Sequence, residues 1–272
     1  MTQNIYITGA EPHSGKSVVT LAICDMLAGG TAKLGFFRPI IAADDGSDPM
    51  LALISQRYNL SAPHQIGFGC SYKAARELMT NGQYDALLTR ILERFKQLQQ
   101  QCDHIVCLGT DYSNVASAFE LGFNADVANN LNCFIVPVVR GDDRDVDQIL
   151  EAAAAFLQLL KQRDCDILAV LVNRVNPAMV TTITQRLVAG DEAPLYILPD
   201  DPVLGKPTVR DIATALKATR LFEDEAGLNR NVADFIIAAM ELPHFLGHIE
   251  TDSLVITPGD RADIILGSLL SY

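Results

Sequence analysis

The chain has 272 residues, of which 21 are Lys or Arg and 33 are Asp or Glu, giving a net charge of −12; hydrophobic residues make up 49% and charged residues 20%. That composition excludes a disordered chain and a broad electrostatic grip on nucleic acid, which needs clustered Lys and Arg. No basic stretch followed by an apolar one opens the sequence, and no apolar run approaches the roughly 20 residues of a membrane span. The expected setting is therefore cytoplasmic, with no nucleic-acid partner and no membrane partner.

Short apolar runs alternate with helical patterns. Residues 4–8 (NIYIT) read as a strand and 16–27 as a helix, followed by a second short run at 34–38 (LGFFR). Residues 84–101 form an amphipathic pattern in which Leu87, Leu88, Ile91, Phe95 and Leu98 share one stripe. Next come 104–108 (HIVCL), a helix near 125–131, the run 133–139 (CFIVPVV), an Ala- and Leu-rich helix at 145–161, the run 167–172 (ILAVLV), and 195–198 (LYIL) after a shorter helix. Continuous apolar runs between helices describe strands buried on both faces. The spacing predicts a doubly wound α/β fold with a mostly parallel sheet. Beyond residue 200 a connector rich in Pro, Gly and charge leads to a helical stretch at 209–216, then to 232–240, 253–257 and 263–270. These elements are too few for a complete α/β layer. The expected division is 1–207 as one full domain and 208–272 as an incomplete second α/β domain of a longer protein.

The strongest local signal is Gly9-Ala10-Glu11-Pro12-His13-Ser14-Gly15-Lys16-Ser17, set between the first strand and the first helix. That is the context of a phosphate-binding loop. Gly15 lets backbone approach a phosphate, N–H groups at the helix start point at the anion, and the helix dipole adds a partial positive charge. Lys16 supplies a full charge, Ser14 and His13 stand within the loop, and the Ser17 hydroxyl is a candidate Mg²⁺ ligand. The spacing is G-x5-G-K-S, with Ala10 where the common G-x4-G-K-[ST] has glycine.

G-x5-G-K-S followed by Val18-Val19 resembles the loop of dethiobiotin synthetase and its relatives. The resemblance implies a P-loop fold that binds ATP with Mg²⁺. It assigns phosphate binding to Arg38, in Gly35-Phe36-Phe37-Arg38-Pro39, where the family has lysine. It assigns a metal contact to Asp48, in Ser47-Asp48, and adenine recognition to Asn173, in Val172-Asn173-Arg174. It also implies an acidic metal ligand at the position of Leu108, which cannot coordinate Mg²⁺. Asp111, three residues on, is the candidate substitute.

The tail carries a second resemblance. Pro243-His244-Phe245-Leu246 and the run from Leu254 through Thr257-Pro258-Gly259-Asp260-Arg261 to Ile265 resemble the first half of a DRTGG domain. With Gly109-Thr110-Asp111-Tyr112, Asn124-Ala125-Asp126 and Pro207-Thr208-Val209-Arg210-Asp211, the whole chain resembles the N-terminal region of long-form phosphate acetyltransferases. This implies a regulatory and oligomerisation region that senses a nucleotide or small anionic metabolite. The acetyl transfer would belong to a C-terminal domain of the same parent chain, and the assembly would be a homo-oligomer. Two alternatives stand beside it: an ATP- and Mg-dependent ligase of the dethiobiotin synthetase type, and a scaffold whose loop has lost its ligand.

Other features read blandly. The six cysteines lack metal-site spacing and read as reduced thiols. His244 and His248 read as surface histidines, Asp44 and Asp45 as a loop face, and Asp142, Asp143 and Asp145 as a solvated turn and helix start.

Overall fold

The computed structural model describes residues 4–30, 32–110, 117–187, 193–202, 204–221 and 224–271, with backbone alone at 117–121 and 187. The chain divides into two compact units, Met1–Asp200 and Asp201–Tyr272.

The first unit alternates strands and helices: β1 (Asn4–Gly9), α1 (Lys16–Ala28), β2 (Leu34–Ile41), α2 (Pro49–Tyr58), β3 (Ile66–Ser71), α3 (Tyr72–Thr80), α4 (Tyr84–Gln99), β4 (His104–Leu108), α5 (Ser117–Asn130), β5 (Cys133–Arg140), α6 (Val146–Lys161), β6 (Val170–Val175), α7 (Val180–Leu187) and β7 (Leu195–Pro199). The seven strands form one sheet in the order β3-β2-β4-β1-β5-β6-β7, every pair parallel. Successive side chains on a strand point to opposite faces, and both faces are apolar. Tyr6, Phe37, Cys107 and Ile135 pack under α4, α5 and α6 with Ile91, Phe95, Ala125 and Phe156. Ile7, Phe36, Val106 and Leu108 pack on the other face with Val19 and Cys24 of α1 and Ile54 of α2. This is the doubly wound, parallel α/β fold that the alternation of runs predicts.

Four elements depart from the apolar-run reading. β3 (IGFGCS) is broken by Gly67 and Gly69, so its hydrophobic signal is weak. Those glycines are packing residues: a Cβ at Gly69 would lie 2.5 Å from the Pro39 carbonyl oxygen and 2.8 Å from Ile91 Cγ1. α2 and α3 start on side-chain caps, Asp48 and Ser71. β6 begins later than the apolar run suggests; Ile167 makes only an isolated bridge to Ile135, and the strand proper runs on through Asn173.

The second unit holds α8 (Val209–Ala215), α9 (Glu225–Leu228), β8 (Asp234–Ile237), α10 (Leu242–Leu246), β9 (Ser253–Ile256) and α11 (Ala262–Leu270). β8 and β9 pair in parallel, and Ile236, Ala238, Phe245 and Ile264 form its small core. Residues 201–207, counted with the first domain by composition, lie with this unit; the Val232 N–H donates to the Pro207 carbonyl at 2.8 Å.

Candidate functional site

The carboxyl ends of the parallel strands are where open α/β sheets place ligands, and the Gly9–Ser17 loop leaves the central strand β1 there. The loop's course explains its glycines. A Cβ on Gly9 would sit 2.4 Å from Ser14 Oγ, so only glycine lets the loop fold back on the strand end. Gly15, at φ +83°, is the residue before α1, in the left-handed region. Its position is also sterically closed, because a Cβ there would lie 2.0 Å from Asn173 Nδ2. Ala10, where the common pattern has glycine, donates its N–H to the Val138 carbonyl and packs its side chain against the core.

Two side chains from other elements tie the loop down. Asn173, on β6 and 8% exposed, donates from Nδ2 to the Ser14 carbonyl at 3.0 Å. Arg144, between β5 and α6, clasps Glu11 with both guanidinium arms at 2.8 Å, and donates to the Arg140 carbonyl. The run that reads as a solvated turn is a turn with Asp143 exposed, and Arg144 within it is the tether. Asp145 does cap α6, as a capping box with Gln148. Asp142 receives the Arg140 guanidinium, which holds its carboxyl below the usual aspartate range, and Arg174 lies 3.7 Å away. The Glu11–Arg144 pair is a contact the sequence reading missed; an acid in the loop and a basic residue after the next central strand are the available signals.

What the loop presents is unsatisfied polarity. Ser14 and Thr8 are fully buried, and neither Ser14 Oγ nor Thr8 Oγ1 has a hydrogen-bond partner among the described residues. Such groups cost about 1–3 kcal/mol when left unmade. Lys16 is 4% exposed, Ser17 is half-buried in the first turn of α1, and His13 is exposed, at φ +60°. No side chain caps α1, nor α4, α10 or α11, whereas α2, α3, α6 and α8 are capped by Asp48, Ser71, Asp145 and Thr208.

Arg38 lies on β2, two strands away across β4. Its Nε is buried without a partner, and its Nη2 lies 3.7 Å from Asp48 Oδ2. Asp48 itself is occupied: Oδ1 accepts from the Met50 and Leu51 N–H groups at 2.9 and 3.0 Å, capping α2. Asn173 faces the underside of the loop, a geometry that supports the loop backbone.

Among the described residues, protein oxygens for a divalent metal are few. Mg²⁺ requires near-octahedral oxygen ligation. Leu108 is buried in the apolar face, Asp48 is shared between a helix cap and a guanidinium, and no group of three His, Cys, Asp or Glu side chains suited to a metal occurs among the described residues. Asp111 lies outside the described residues.

A second polar cluster holds the β4 end. Tyr6 Oη donates to Asn124 Oδ1 at 2.7 Å, and Asn124 exchanges hydrogen bonds with the Thr110 backbone. Burial pushes the Tyr6 hydroxyl well above the usual tyrosine range, with Cys107 adding to it. This clamp brings together the Gly109-Thr110 and Asn124-Ala125-Asp126 segments.

Comparison with known proteins places the chain. The family model described as an AAA domain matches residues 3–215. The chain belongs to this AAA domain family. A DRTGG domain model matches residues 211–272. Over its full length the chain is 36% identical to a phosphate acetyltransferase of Nitratidesulfovibrio vulgaris and 33% identical to one of Synechocystis, covering 40% of each. The chain thus spans less than half the length of the curated relatives it matches. Among solved structures, the septum site-determining protein MinD complexed with Mg-ADP from Pyrococcus horikoshii is similar over 75% of this chain and 84% of its own. Its TM-score is 0.45 and its identity 16%. No helix among the described residues is long and apolar enough to cross a membrane. The described cysteines are free thiols, five of them buried.

Proposed function

We propose that this AAA–DRTGG chain is the N-terminal regulatory and oligomerisation region of a cytoplasmic phosphate acetyltransferase, and that its loop senses the phosphates of a nucleotide such as ATP. The acetyl-transfer chemistry, from acetyl-CoA and phosphate to acetyl phosphate and CoA, lies in a C-terminal domain of the parent chain. The observation that carries the sensing role is the pair of buried, unpartnered hydroxyls, Thr8 Oγ1 and Ser14 Oγ, beside an uncapped helix start. Gly9, Gly15 and Asn173 shape and hold the loop. Lys16 and Arg38 supply positive charge, the Ser17 hydroxyl and the exposed His13 border the phosphates, and the α1 N-terminus supplies donors. Leu108, buried in the apolar face where the ligase family has an acidic metal ligand, weighs against the ATP- and Mg-dependent ligase reading. The similarity to phosphate acetyltransferases along the full chain supports the parent activity.

Isothermal titration of the intact chain with ATP, ADP and inorganic phosphate tests this. Saturable binding of at least one, weakened tenfold or more by Lys16→Ala with the far-UV spectrum unchanged, is the expected result. Equal or absent binding by wild type and variant makes the loop a structural remnant and the chain a scaffold.

A further inference from the structure

β3 is the outer strand of the large sheet, so one of its edges has no neighbour among the described strands. A cleft of about 870 Å³ runs along that edge, inside the size range of small-molecule sites. α2 and α4 wall it from opposite faces of the sheet, and Ile66 and Phe68 give it an apolar floor. Arg90 and Arg94 stand one turn apart on α4 and both line it.

Neither arginine has an ion pair or hydrogen bond with a described residue. Elsewhere Arg57, Arg140, Arg144, Arg186, Arg210 and Arg261 each hold a carboxylate. In a chain of net charge −12 acids are abundant, yet two like charges are kept at i, i+4, where they repel each other. Lys73 and Arg76 on α3 and Lys96 on α4 also lack ion pairs among the described residues, although Glu77 on α3 and Asp85 and Glu93 on α4 share these helices. A guanidinium fork matches the geometry of carboxylate and phosphate oxygens. Asp44 and Asp48 also line the cleft, so the α4 arginines are its groups suited to the anionic end of a ligand, whose apolar body would rest on Phe68.

We propose that this cleft is a second ligand site, separate from the loop, for a small metabolite bearing a carboxylate or phosphate. The test is an NMR titration of the intact chain with succinate and with inorganic phosphate, against sodium chloride at matched ionic strength. At least one oxyanion should shift β3 and α4 amides saturably. Both arginines are exposed, so Arg90→Gln/Arg94→Gln should fold; it should weaken that binding at least tenfold. Lys16→Ala should leave it unchanged, which separates this site from the loop. The stronger of the two probes identifies the preferred oxyanion. The proposal is overturned if neither probe moves these amides, if the shifts follow sodium chloride, or if the double variant binds like wild type.

Discussion

At the scale of single residues, the loop is built by steric exclusion and one amide. Gly15 combines a positive φ with a closed Cβ position against Asn173. Gly15→Ala should cost about 1–3 kcal/mol, the usual cost of a non-glycine residue held in the left-handed region, plus the displacement of the amide. Asn173→Ala should cost about 1 kcal/mol for the lost bond to the Ser14 carbonyl. Because the added methyl would collide with that same amide, the double variant should be less destabilised than the sum of the two. Urea unfolding of all four proteins measures this, and strict additivity would show that the contact is not shared. The charge balance gives a second expectation. With Lys16 and Arg38 supplying the cations, adding Mg²⁺ should change nucleotide affinity less than threefold in a titration; a tenfold gain would mean that a protein-held metal completes the site. The GKS signal and its strand–helix setting were legible in the sequence because glycine and charge have few other uses at such a junction. Asn173's support of the loop was not, because a contact between residues 159 positions apart leaves no local pattern.

At the scale of elements, Asp48 serves two structures at once. Its carboxylate caps α2 and faces Arg38. Asp48→Ala should lower stability by about 1 kcal/mol, the usual loss of an N-cap, whereas Asp48→Asn keeps an acceptor and should recover most of it in thermal unfolding. α2 and β3 were the elements hardest to read, since one starts on a side-chain cap and the other trades side chains for close backbone packing at Gly67 and Gly69. The strands β1, β4 and β5 were legible because a strand buried on both faces is apolar without interruption. In the second unit, the Arg261 guanidinium holds the Asp263 carboxyl down to about 2, the arginine hydrogen bond being the main cause. A lowered carboxyl pKa contributes stability that is present above the ordinary value near 3.8 and is lost as the pH falls towards 2. Asp263→Asn should therefore flatten the pH dependence of α11 unfolding between pH 4 and 2, followed by amide exchange; an unchanged slope would show that the pair does not persist in solution.

At the scale of the molecule, two units of unequal size follow from unequal cores. The first closes both faces of a seven-stranded sheet, and the second gathers a few side chains around two strands. Residues 1–200 should fold alone with a cooperative transition; a fragment without cooperative unfolding would show that the second unit is required. The net charge of −12 says little about the proposed anion site, because the charges it would use are local: Lys16, Arg38 and the start of α1, near the buried hydroxyls of Thr8 and Ser14. Under the proposed function, those hydroxyls donate to phosphate oxygens. The most direct measurement is a crystal structure of the intact chain grown with saturating ADP. Density for the diphosphate against Ser14 and the first turn of α1 is the predicted result. An empty loop at saturating nucleotide, or ADP bound elsewhere, would contradict it.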